Sequence, residues 1–224
     1  MNRRDDLQQT RRSGLRQLWA LPYSDPGWPG KVLLGSALLL LWPLVAPLLL
    51  VLGYLVALAR LSPSKTALPS WRSPGSMLRD GGRLALSMLA YGWPALFVLS
   101  TVAVGGLVIE GPLGGSRAAG ALVALAVTVQ PIGLVWLLVG LLLFPLQLRR
   151  AAATESLAQA LSPTALFSLA RANLRRLPVL WLSELALLLA ALPGLLLALV
   201  GYAFTLFWAL LAVARLSATL EASE

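Results

Sequence analysis

Apolar and polar positions alternate along this chain in long blocks. Largely apolar stretches occupy residues 32–59, 84–147 and 178–214, and all but one of the lysines and arginines lie outside them. A helix needs roughly 20 apolar residues to cross the hydrocarbon core of a bilayer. The second block exceeds two such lengths and is split by Glu110-Gly111-Pro112-Leu113-Gly114-Gly115-Ser116-Arg117, which predicts two helices near 84–109 and 118–147 joined by a turn. The third block would be about 55 Å long as one straight helix, too long for a single span. Pro193-Gly194 near its centre predicts two shorter helices.

The first block is long enough for one tilted crossing. Charge argues against that reading. The preceding tail carries Arg3, Arg4, Arg11, Arg12, Arg16 and Lys31, and the following connector carries Arg60, Lys65, Arg72, Arg79 and Arg83. A single crossing would place these two basic clusters on opposite sides, against the positive-inside rule. Trp42-Pro43 and Pro47 supply a break midway, so a V-shaped, re-entrant or interfacial pair is expected. With that choice Arg149, Arg150, Arg171, Arg175, Arg176 and Arg215 fall on the same side, and of 18 basic residues only Arg117 lies outside.

The expected fold class is therefore all-α. It is a polytopic helical membrane bundle with about four full crossings, an N-terminal broken or re-entrant helix pair, and an amphipathic helix on the cytoplasmic face. The expected organisation is a basic tail and entry elbow (1–31), a single helical membrane domain (32–217) and a short C-terminal tail (218–224). Both termini are expected in the cytoplasm.

Composition narrows the chemistry. The chain of 224 residues is 58% apolar, only 12% charged, and has no cysteine and no histidine. Disulfides, thiolate nucleophiles, imidazole metal ligands and histidine general bases are thereby excluded. The glycine pairs at 81–82, 105–106 and 114–115 lack the context of a phosphate-binding loop. No catalytic, cofactor-binding or metal-binding residue is expected, and no cofactor. The net charge of +9 is accounted for by topology and anionic lipid, without nucleic acid.

Four segments carry the remaining candidates. In Leu21-Pro22-Tyr23-Ser24-Asp25-Pro26-Gly27-Trp28-Pro29-Gly30-Lys31, Asp25 before Pro26 predicts an Asx-type turn, and Gly27 and Pro29 predict a non-helical elbow. Tyr23, Trp28 and Lys31 suit the headgroup level. In the stretch Leu68 to Arg83, Trp71 and Arg72 are expected at the interface, and Ser73 or Ser76 as a helix cap. Residues 162–177 predict an amphipathic helix, with Ser162 at the N-cap and Pro163 at N1. Leu166, Leu169, Ala170, Leu174 and Leu177 would form one face; Arg171 and Arg175, joined by Arg176, would turn to anionic headgroups. Inside the apolar blocks, Tyr91, Gln130, Glu184 and Tyr202 are the polar candidates, and an intramembrane carboxylate such as Glu184 is costly unless paired or neutral.

The elbow Pro22 to Lys31, the Gly53-Tyr54-Leu55 helix end, the Leu68-Pro69-Ser70-Trp71 connector and the Asp80-Gly81 pair resemble an uncharacterised prokaryotic integral membrane family, domain of unknown function 4013. Arg72 departs from the family, which often has acidic residues after that tryptophan. The resemblance is specific over residues 21–94 and compositional beyond. It implies an integral protein of the prokaryotic cytoplasmic (inner) membrane or a related internal membrane, and brings no catalytic residues with it. The expected function is that of a non-catalytic scaffold, assembly factor or regulatory subunit, with the lipid bilayer and its anionic lipids as partner, together with a protein partner or a second copy of the chain. The alternative is a small oligomeric transporter or channel with a polar path near Gln130 and Glu184.

Overall fold

A computed structural model describes residues 25–41, 43–61, 67–110 and 117–220. All regular structure among them is helical. In chain order the elements are α1 (Trp28–Leu40), α2 (Val45–Arg60), α3 (Pro74–Glu110), α4 (Arg117–Ala153), α5 (Leu157–Ala160), α6 (Pro163–Ala172), α7 (Leu177–Ala191), a 3-10 segment (Leu192–Leu197) and α8 (Ala198–Ser217).

Proline and glycine set the breaks. The first apolar block divides at 41–44, where Pro43 cannot continue a helix, while Pro47 is accommodated in the first turn of α2. The third block divides at Pro193-Gly194, where the chain tightens into the 3-10 segment. α7 and α8 pack side by side around it. The Thr205 hydroxyl donates to the Ala191 carbonyl (2.8 Å) across the pair. A Cβ on Gly194 would lie 2.6 Å from the Gly201 carbonyl oxygen, so only glycine fits this crossing.

Two expected boundaries move. The elbow is helical from Trp28 onward, because Pro29 occupies the first turn, where its missing N–H and fixed φ cost nothing. The helix expected over 162–177 ends at Ala172. There the Asn173 side chain donates to the Leu169 carbonyl (3.0 Å), and a turn leads into α7. The serine caps also differ. Ser162 stands at the N-cap of α6, but its hydroxyl meets the Thr164 hydroxyl (2.9 Å) rather than a backbone N–H, and the Ser76 hydroxyl donates to the Ser73 carbonyl (2.9 Å).

The chain forms two compact units, Met1–Ala85 with Pro145–Glu224, and Leu86–Phe144. In the first, α8 is the central element: α1, α2, α7 and the 3-10 segment all pack on it. Its Phe207 is fully buried, fitting against Gly35 of α1, where a Cβ would stand 2.1 Å from the ring. In the second, α3 approaches α4 closely where Gly133 meets Val98, and large apolar side chains such as Trp93, Phe97, Val127 and Leu134 are exposed.

Three described helical stretches are long and apolar enough to cross a membrane: Val123–Ala153, Leu177–Leu196 and Leu199–Ser217. α3 runs unbroken through 84–109, where a further crossing was expected. The hydroxyls of Ser36, Ser100, Thr101, Thr128 and Ser183 donate to carbonyls three or four residues back on their own helices. Such back-bonding satisfies a hydroxyl where water is absent. The chain is thus an all-helical bundle of the kind that embeds in a membrane.

Candidate functional site

The residues singled out in the elbow and connector converge on one cluster in the first unit. Asp25 begins it. One carboxylate oxygen accepts the Gly27 N–H (2.8 Å), the expected Asx turn. The other accepts both the Lys31 ammonium (2.6 Å) and the Leu68 N–H (2.9 Å). The Lys31 ammonium also donates to the Leu68 carbonyl (2.9 Å). A single ion pair thus holds both backbone polar groups of a residue that lies 43 positions further along the chain than Asp25. Asp25 is buried, and the hydrogen bond from Lys31 holds its carboxyl below the usual 3.8 despite that burial.

Aromatic rings continue the cluster. The Trp71 indole donates to the Lys31 carbonyl (3.3 Å) and stacks on Tyr54 at 4.1 Å between centroids. The Tyr54 hydroxyl donates to the Pro69 carbonyl (3.1 Å), and its ring tilts against Phe207 of α8. Trp28 meets Trp208 edge to face at 5.8 Å. The start of α1 and the connector after α2 are therefore held together, so the helix pair returns to the place it left.

A second ionic group lies where α2 meets α3. Asp80, buried, accepts from Arg60 and from Arg83. Each arginine also reaches the end of α4: Arg60 donates to the Ala152 carbonyl (3.2 Å) and Arg83 to the Thr154 carbonyl (3.0 Å). Arg149 and Arg176 donate to carbonyls in the turn just past α8, those of Leu220 (3.1 Å) and Thr219 (3.2 Å). Carbonyls at a helix C-terminus lack intrahelical donors and carry the negative end of the helix dipole, so guanidinium groups suit them. The expectation that the arginines act by orienting the chain was incomplete, because four of them also tie helix ends.

Between the ionic groups, α2 and α3 touch backbone to backbone. A Cβ on Gly53 would stand 1.9 Å from the Met77 carbonyl oxygen, and one on Gly81 would stand 1.9 Å from that of Leu49. The Gly-Tyr, Leu-Pro-x-Trp and Asp-Gly pieces noted in the sequence are thus parts of one interlocked arrangement.

A family model described as "Protein of unknown function (DUF4013)" matches residues 36–201. The chain belongs to this family. The match extends well past residue 94, where the resemblance was expected to become compositional, and begins after the elbow, which was expected to lie within it. It therefore takes in α2, the connector, Asp80 and Glu184, while Asp25 and Lys31 lie outside it. No curated protein and no solved structure matches the chain.

The remaining candidates are dispersed. Tyr23 lies outside the described residues. Arg72, Arg171, Arg175 and Arg176 are exposed. Tyr91 and Gln130 belong to the second unit, and Gln130 is exposed on α4. Glu184 and Tyr202 belong to the first, and no hydrogen bond links them. Glu184 is 2% exposed on α7 and makes no ion pair among the described residues. One turn beyond it, Leu187 begins the lining of a largely apolar cavity of about 290 Å³ between α7 and α8, completed by Ala191, Phe204, Thr205 and Trp208 among others. Sequence reasoning missed Asp80 as a centre. Its signal was an acidic residue amid five basic ones, next to a glycine.

Proposed function

We propose that this protein is a non-catalytic membrane scaffold, assembly factor or regulatory subunit whose polar residues serve to hold a fixed surface at one end of its helices. The observation that carries the reading is the use of its scarce ionic groups. Asp25, Lys31, Asp80, Arg60 and Arg83 are engaged with one another and with backbone carbonyls and amides, and two aromatic-rich segments are fastened beside them. A rigid surface suits docking, and the half-buried rings of Trp28 and Trp71 at its edge would give contact area at low entropic cost. Purification of the full chain in mild detergent should retain a stoichiometric protein partner, and D25N should release it. Repeated recovery of the chain alone would count against the proposal.

Glu184 favours a second reading, a small oligomeric transporter or channel. A carboxyl buried on an apolar helix, one turn from the first residue lining a cavity, is a candidate for ion or proton coupling. Proteoliposomes would then show flux that E184Q abolishes. Flux equal to empty liposomes across a broad substrate panel would remove this reading.

A further inference from the structure

α6 buries the leucines expected on its apolar face, Leu166 and Leu169, but also carries large apolar side chains on its outer side. Leu166 and Leu169 are buried against the protein, as is Asn173 in the turn that follows. The outward stripe of α6 consists of Thr164, Phe167 and Arg171, spaced three and four residues apart as one helical face requires, and Leu174 continues it in the turn just past the helix. On it Phe167 is 70% and Leu174 66% exposed, two of the highest values among the large apolar side chains, and Arg171 and Arg175 are exposed beside them.

The position of this stripe is fixed by its neighbours. Arg175 and Arg176 immediately precede the membrane-length stretch that begins at Leu177. Arg176 reaches Thr219, just past the end of α8, and Arg150 donates to the Gln159 carbonyl (2.7 Å), tying the end of α4 to α5. With Arg149 donating to the Leu220 carbonyl, the ends of all three membrane-length stretches are tied together on the side where α5 and α6 lie, so a bilayer crossed by those stretches would hold α6 at headgroup depth. Aromatic and apolar side chains exposed at that depth meet acyl chains, and arginines beside them meet phosphates.

We propose that Phe167 and Leu174 insert below the headgroups, while Arg171 and Arg175 bind the phosphate groups of anionic phospholipids. The site is a lipid-engaging surface of the protein's own leaflet. This rests on the membrane reading, and the experiment separates the two. Because the chain has no cysteine, single cysteines can be introduced and labelled with an environment-sensitive fluorophore in the full chain. L182C, exposed in the α7 span, serves as the bilayer control. In vesicles of phosphatidylcholine and phosphatidylglycerol, label at F167C should emit blue-shifted light and be quenched by brominated acyl chains, nearly as strongly as label at L182C. Lipid retained on purification should be enriched several-fold in phosphatidylglycerol, and R171Q/R175Q should return it to the bulk ratio. Water-like emission from F167C with L182C quenched would overturn the insertion. An unchanged lipid ratio in R171Q/R175Q would overturn the phosphate contact. An unquenched L182C would instead overturn the membrane reading. T164C, on the same stripe, repeats the test at a position that removes no apolar side chain.

Discussion

At the scale of single residues, Asp25 concentrates more structure than any other side chain described. Its carboxylate satisfies one turn, one ammonium and one distant backbone amide. D25N would set an amide NH2 against these donors and strand Lys31. A loss of about 2–3 kcal/mol is expected, as for other broken buried pairs with unsatisfied partners. It should appear as a lower unfolding temperature in detergent. The pH dependence follows from the direction of the shift. The folded carboxyl titrates below the ordinary 3.8, so its contribution is complete above that value and is lost as pH falls through the folded pKa. The difference in melting temperature between wild type and D25N should hold at neutral pH and shrink below about pH 4. A difference independent of pH would contradict the assignment. The Asp-Pro dipeptide made the local turn legible in the sequence. The contact with Leu68 was not legible, since it depends on two helices returning the chain to within hydrogen-bonding distance.

Among the elements, the crossing of α2 and α3 depends on two absent side chains. G81A would drive a methyl group into the Leu49 carbonyl, a backbone atom that cannot swing aside. A cost of about 3 kcal/mol is expected, at the upper end for overpacking. G82A, next in the chain but with open space around it, should be stabilising by about 0.5–1 kcal/mol, because alanine is the better helix former. Thermal melts of the two variants should move in opposite directions, and similar shifts would refute the close packing. The helices and their breaks were legible because proline and glycine interrupt long apolar runs. The facing of α6 was not. Leucine and phenylalanine occur on both of its sides, and the apolar pattern alone cannot say which side meets protein and which meets lipid.

For the whole molecule, the clip between Asp25 and Leu68 fixes a relation between segments that charge counting suggested only indirectly. Both ends of the α1–α2 pair should face one compartment. Single cysteines at Gly27 and Ala67, both exposed, should react with an impermeant thiol reagent from the same side of sealed vesicles. Labelling from opposite sides would break the hairpin reading. Basic clusters flanking an apolar block suggested a return path, while the arginines' second use, as donors to carbonyls at or just past the ends of α4 and α8, needed the folded chain to become visible.

The central place of α8 has a bearing on synthesis. Phe207 packs against both Gly35 and Tyr54, yet it leaves the ribosome more than 150 residues after either of them. The first two helices can close on the connector as soon as Leu68 emerges. Their packing against the bundle must wait for the last helix. The first helices to be made are therefore among the last to be buried within the protein, and until α8 follows, the faces of α1 and α2 that pack on it stay uncovered.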